Sequence, residues 1–140
     1  MGKAIQSDQQ SGAPLHVFIV EDSQPVLERL EEMLSSIEGA CFAGSAASVE
    51  AAISGILYTH PNAVILDIGL MHGSGFDVLR ALRERRVGIP VYVLSNFANE
   101  PYRRLAEQLG ASAFFDKTTQ IDEMRELLTQ RAAQHATLLH

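Results

Sequence analysis

Four short apolar runs in this chain each end on, or just before, a side chain able to handle a phosphoryl group. LHVFIV leads into Glu21 and Asp22, AVIL into Asp67, VYVL into Ser95, and AFF through Asp116 into Lys117. If these runs are parallel strands of one sheet, the side chains collect at its carboxyl edge, where open α/β sheets place their ligand sites. Three carboxylates, a hydroxyl and an ammonium in one crevice make a site for a divalent cation and a phosphoryl group. Crowded carboxylates repel one another, and a hard cation with oxygen ligands relieves that repulsion. Mg2+ suits the set, because it keeps several waters and takes one or two carboxylates together with phosphate oxygens.

Each residue also has an ordinary reading. Asp67 ends a buried strand before a flexible loop, where an aspartate either caps a turn or faces a ligand. Glu21 and Asp22 either complement the dipole of a following helix or bind a cation. Adjacent strand residues point to opposite faces, so the chain must bend after the first strand if both are to reach one site. Ser95 alone reads as a turn residue. Lys117 beside three acids reads as a buried counter-ion that offsets charge on a transferring phosphoryl group.

The elements that must position these residues alternate strand and helix five times. Residues 15–20 form a continuous apolar run, as expected of a strand buried on both faces. Ser23 and Pro25 open a first helix carrying Val26, Leu27, Leu30, Met33, Leu34 and Ile37 at helical spacing, which Gly39 ends. A weak strand follows at 40–44. Ser48 opens a second helix with Val49, Ala52, Ile53, Ile56 and Leu57 on one face. His60-Pro61-Asn62 precedes a strand at 63–67, and Ile68–Gly75 is a loop with glycines at 69, 73 and 75. Phe76, Leu79 and Leu82 mark a third helix, and Gly88 and Pro90 introduce a strand at 89–94. Asn99 and Pro101 start a fourth helix with the poorest apolar face, its stripe made of Tyr102, Leu105 and Leu109, and Gly110 stops it. A last strand at 112–116 and a helix from about 120, with Ile121, Met124, Leu127 and Leu128 inward, complete the pattern. Five βα units imply a parallel sheet covered by helices on both faces. Without a Gly-rich fingerprint after the first strand, the expected order is the flavodoxin-like 2-1-3-4-5.

Composition narrows the function. A length of 140 residues suits one domain, and a net charge of −6 points away from direct binding to nucleic acid. No apolar run of about 18 residues occurs, so no membrane span is expected. Residues 1–13 read as a disordered tail, 14–133 as the domain and 134–140 as a frayed end. The one cysteine, Cys41, lies in a short apolar stretch and reads as a small buried residue, with a reducing cytoplasm as its compartment. The five histidines lack metal-ligand spacing, and His72, in the loop after Asp67, reads as solvated. No Walker A motif and no G-x-S-x-G elbow is present.

The acidic pair, the three strand-end residues that follow it, Gly75 and the stretch G-A-S-A-F-F-D-K together resemble the receiver domain of bacterial two-component response regulators. The resemblance covers about residues 14–133. It implies that Asp67 is the phosphoacceptor, loaded from a phosphohistidine on a sensor histidine kinase or a histidine phosphotransfer protein. It implies Mg2+ held by Asp22, Asp67 and the backbone carbonyl of Gly69, with Glu21 acting through a bound water. Ser95 and Lys117 contact the phosphoryl oxygens, and Phe114 takes the aromatic switch position. It also implies a homodimer through the face formed by the fourth helix, fifth strand and fifth helix. The chain departs from the family at Thr118 and Met71, where proline is common, and at Asn96, where the residue is usually smaller. Gly69 and Phe97 fill two variable positions flanking the phosphosite.

The expectation is therefore a stand-alone cytoplasmic receiver, a relay or switch without enzyme activity beyond self-catalysed phosphotransfer and autodephosphorylation. Two rivals use the same residues. A Mg2+-dependent hydrolase forming an aspartyl-phosphate at Asp67 usually carries a second aspartate two residues on, where this chain has Gly69. A phosphorylation-independent interaction module on the same fold has no need of an intact acidic site.

Overall fold

A computed structural model describes residues 13–138. All but Ala13 of the expected amino-terminal tail lies outside the described residues. Strands β1 (Leu15–Val20), β2 (Ala40–Ala46), β3 (Ala63–Leu66), β4 (Val91–Ser95) and β5 (Ala113–Asp116) form one parallel sheet in the order β2-β1-β3-β4-β5. Helices α1 (Gln24–Ser35), α2 (Val49–Thr59), α3 (Gly75–Glu84), α4 (Glu100–Gln108) and α5 (Ile121–Leu138) alternate with them. This is the doubly wound (βα)5 arrangement that the alternation of elements predicts.

Burial on both faces explains why β1, β3 and β4 read as unbroken apolar runs. Side chains alternate across the sheet. Phe18, Val20, Val64, Leu66, Val91 and Val93 pack on one face with residues of α2, α3 and α4. Val17, Ile19, Ala63, Ile65, Tyr92 and Leu94 pack on the other with residues of α1 and α5. Among the helices, α4 is held most lightly, with Ala106 its one buried residue. Two expected inward residues turn out to be more exposed, Leu57 on α2 and Tyr102 on α4.

Several local expectations need correction. Helix α1 stops at Ser35 rather than at Gly39, which instead takes φ +85° in the turn leading to β2. Ser23 and Asn99 occupy the N-cap positions of α1 and α4 without capping through their side chains, whereas Ser48 and Ser74 do cap α2 and α3. Ser74 and Asp77 bond reciprocally as a capping box. Helix α5 continues to Leu138, through most of the segment expected to fray. Ala136 favours helix there, and just before it buried Ala132 packs under Gly39. Cys41 is half-buried, not buried, because β2 is an edge strand, and its Sγ lies 3.0 Å from His16 Nδ1. The β1–β2 register slips between Val17 and Phe18, whose partners are Phe42 and Gly44, so β2 carries a bulge at Ala43.

One glycine fixes how closely α3 approaches the sheet edge. A Cβ on Gly75 would stand 2.5 Å from the Asp67 carbonyl oxygen and 2.7 Å from Ile68 Cα, both backbone atoms. Gly75 N donates to Ile68 O at 2.9 Å, so the first turn of α3 is stitched to the chain just past Asp67. Gly75→Ala is expected to lower stability by about 1–3 kcal/mol, the usual cost of overpacking. Urea unfolding measures it, and an unchanged midpoint would mean that the loop yields freely.

Candidate functional site

The site begins where the sheet ladder runs past the strand ends. Glu21 N donates to Ala46 O at 2.9 Å and Asp67 N to Val20 O at 3.0 Å, so both residues are placed by main-chain pairing. The chain then bends. Ser23 N donates to Glu21 Oε2 at 3.0 Å, which folds the glutamate side chain back over its own turn. That bend lets neighbours of opposite strand polarity converge, and Glu21, Asp22 and Asp67 each offer an oxygen within 4.8 Å of the others. Glu21 and Asp67 are 4% and 6% exposed, and Asp22 is half-buried.

Lys117 closes the cluster. Its backbone N donates to Ser95 O at 2.9 Å, which extends the β4–β5 pairing by one residue. Its Nζ donates to Glu21 Oε1 at 2.9 Å and to Asp67 Oδ2 at 3.0 Å. The remaining Asp67 oxygen, Oδ1, accepts from Gly69 N at 3.2 Å. Burial pushes the Glu21 carboxyl up from its ordinary pKa, against the opposing pull of the Lys117 hydrogen bond. Burial alone would push the Lys117 ammonium down. Its hydrogen bonds to Glu21 and Asp67, with their charges, outweigh burial and hold it above the ordinary lysine value. One ammonium thus faces three carboxyl groups, and the donor set is entirely hard oxygen. Such a set fits Mg2+ and offers no soft ligand for a transition metal.

Ser95 ends β4 fully buried, and its Oγ accepts from Phe97 N at 3.0 Å, which leaves the hydroxyl proton free to turn elsewhere. Gly69 sits in the loop directly over Asp67. Phe114 stands apart from the ion-paired cluster, opposite Val93 in the sheet and packed on the face shared with α2, α3 and α4. His72 is exposed in its loop, as expected.

Two features escape the sequence reading. The Phe97 ring lies over Gly69, its Cε2 3.0 Å from where a Cβ would stand. Phe97 continues into a row of rings, 5.7 Å from Tyr102, which stacks on Phe76 at 6.2 Å. Second, Arg103 sits at 4.9 Å over the Phe114 ring and bonds three segments at once. A lone arginine among the charges of an amphipathic helix carries no signal that separates it from solvated neighbours.

The family model for the response regulator receiver domain matches residues 17–129. The acid tolerance regulatory protein ActR of Rhizobium meliloti is 31% identical over 124 residues, 88% of this chain and 62% of its own length. A protein-glutamate methylesterase/protein-glutamine glutaminase of Anaeromyxobacter dehalogenans is 32% identical over 85% of this chain and 34% of its own. The chain spans 57% and 26% of two other curated relatives it matches, so these proteins, like the methylesterase, extend well past the matched part. Among solved structures, a CheY-like response regulator receiver domain protein from Methanospirillum hungatei superposes with a TM-score of 0.77 at 18% identity, covering 89% of this chain and 98% of that one. A LuxR-family DNA-binding response regulator from Staphylococcus aureus gives 0.76 at 22% identity, covering 85% and 98%. No described helix is long and apolar enough to cross a membrane.

Two outcomes follow from the charge arrangement. In metal-free buffer Lys117→Met leaves Glu21 and Asp67 buried without a counter-ion and is expected to cost about 3–5 kcal/mol in urea unfolding. Mg2+ at about 100 times its dissociation constant is expected to stabilise the wild type by ~2.7 kcal/mol. Asp22→Asn should blunt that gain. A thermal midpoint insensitive to Mg2+ in the wild type would remove the cation site.

Proposed function

The chain belongs to the response regulator receiver family, and from that membership we propose that it is a phosphorylation-controlled switch that accepts a phosphoryl group on Asp67. The observation that carries the reading is Lys117 Nζ bridging buried Glu21 and Asp67 at 2.9 and 3.0 Å, beside a third carboxylate. A half-buried ammonium at the head of a carboxylate cluster is the arrangement a developing phosphoryl charge requires.

The donor is a phosphohistidine of a sensor histidine kinase or a histidine phosphotransfer protein. An Asp67 carboxylate oxygen attacks phosphorus, the P–N bond to the donor imidazole breaks, and its electron pair stays on that nitrogen. Asp22, Asp67 and the Gly69 carbonyl would hold Mg2+, with Glu21 reaching it through water, and the bound cation would offset charge on the phosphoryl oxygens. Lys117 moves from Asp67 to one phosphoryl oxygen, and the Ser95 hydroxyl donates to another. Catalysis is positioning and charge neutralisation, without turnover of a separate substrate. Water later attacks phosphorus, the P–O bond to Asp67 breaks, and inorganic phosphate leaves the carboxylate free.

The output follows from the change at one carboxylate. Movement of Ser95 toward the phosphoryl group makes room for Phe114 to turn inward, and the surface of α4, β5 and α5 changes with it. The lightly buried α4 fits a segment that shifts. We assign the protein to the cytoplasm and its readout to a protein partner or to a homodimer through that face. Light scattering after size exclusion, with and without activation, measures the dimer, and a monomer in both states counts against it.

Intact-mass spectrometry after incubation with a small phosphoryl donor and Mg2+ tests the core of the reading. The wild type is expected to gain one phosphoryl mass, lost on chelation and missing in Asp67→Asn. Gain of the same mass in Asp67→Asn would move the acceptor elsewhere. Failure of the wild type to bind a stable phosphoryl mimic would sink the phosphoacceptor role.

A further inference from the structure

We propose that Arg103 is a positioning residue that ties the loop after Ser95 to the loop carrying Lys117. Its guanidinium is half-buried, and each of its three nitrogens donates one hydrogen bond. Nε donates to Ala98 O at 2.8 Å, Nη1 to Phe114 O at 3.1 Å, and Nη2 to Gln120 Oε1 at 2.9 Å. These acceptors lie on three different segments, the β4–α4 loop, β5 and the β5–α5 loop.

Both loop contacts lead directly to the site. Ala98 follows Phe97, whose amide is bonded to Ser95 Oγ. Gln120 Oε1 is shared between Arg103 and Asp116 N, the latter at 2.8 Å, and Gln120 N returns a bond to Asp116 O at 2.8 Å. Asp116 Oδ1 accepts from Thr118 N at 2.8 Å. Lys117 therefore sits inside a turn closed on both sides by hydrogen bonds, and Arg103 braces the residue that closes it. Where the family usually places a proline after the lysine, this chain has Thr118 and this braced turn. Past the strand-end bond from Lys117 N to Ser95 O, the hydrogen bonds that span the two loops among the described residues run through the guanidinium.

The choice of residue type is not neutral. A guanidinium presents several donors in a rigid planar fork, whereas an ammonium is a single point charge. The same plane lies over the Phe114 ring at 4.9 Å, so the aromatic at the switch position is gripped by its carbonyl and its face together. With α4 burying Ala106 alone, this grip adds a polar tie from the helix to β5 beside the packing of Leu105 and Leu109.

The functional half of this proposal rests on Ser95 and Lys117 being phosphoryl ligands, so the test has two arms. In the metal-free protein, amide hydrogen exchange is compared between wild type, Arg103→Gln and Arg103→Lys. Exchange at both Asp116 and Phe97 is expected to accelerate on the order of tenfold in either variant through local opening, while the Glu21 amide is unchanged. Acceleration in one loop only, or in neither, overturns the tie. Arg103→Lys keeps the charge and stem, so it decides the matter if Arg103→Gln does not fold.

The second arm measures beryllium trifluoride and Mg2+ separately. The variants are expected to bind the mimic roughly tenfold more weakly, the size of effect that partners of ligating groups carry, with Mg2+ affinity unchanged. Wild-type mimic affinity in the variants overturns the positioning role, and so does an equal loss of Mg2+ affinity. A wild type that binds no mimic sinks the phosphoacceptor reading instead, while the exchange arm still decides whether Arg103 joins the loops.

Discussion

The structure turns on one half-buried ammonium held between two buried carboxylates. Lys117 is 96 residues from Glu21 and 50 from Asp67 in the chain, yet its Nζ contacts both. Three charged groups gathered away from water are tolerable only together, since removing one leaves the others uncompensated. That requirement reaches back into the sheet. The three residues meet because β1, β3, β4 and β5 stand side by side and parallel, with their carboxyl ends on one edge of the sheet. A different strand order would strand a charge in the interior. The hydrophobic runs drive burial of the sheet, and the ion pairs select which arrangement of it is admissible.

The carboxyl edge is also where the packing is least forgiving. Gly75 lets the first turn of α3 lie against the backbone of Asp67 and Ile68, and Glu21 is folded back by the amide of Ser23. Away from this edge the structure relaxes toward α4, whose single buried alanine contrasts with the six buried residues of α3. Rigidity is concentrated on the carboxylates, and looseness on the helix beside the hydroxyl and the aromatic. Such a gradient suits a device in which chemistry at one place changes a surface at another.

Much of this was legible in the residues. Continuous apolar runs mark β1, β3 and β4, because burial on both faces demands it, and the acids, serine and lysine at strand ends mark the edge. Helix α5 runs on to Leu138, and nothing local in its last residues marks where a helix gives way to a tail. Ser23 and Asn99 stand where caps belong, yet neither side chain makes a cap bond, and residue type alone does not decide that. Arg103 and Gln120 were invisible for a different reason. Their importance lies in acceptors from three separate segments, and no periodicity records a contact of that kind. The ring of Phe97 over Gly69 is similarly a product of two loops that meet only in the fold.

The bulge at Ala43 bears on how this protein behaves in a crowded solution. Strand β2 is an outer margin of the sheet, and an unpaired margin with regular spacing is a template for adding another chain. Here the spacing is interrupted midway, with Gly44 at φ +152° just past the slip. A strand arriving from a second molecule would find its hydrogen-bond partners in step for only part of its length. The irregularity thus acts as a guard against edge-to-edge aggregation, at the side of the molecule farthest from β5.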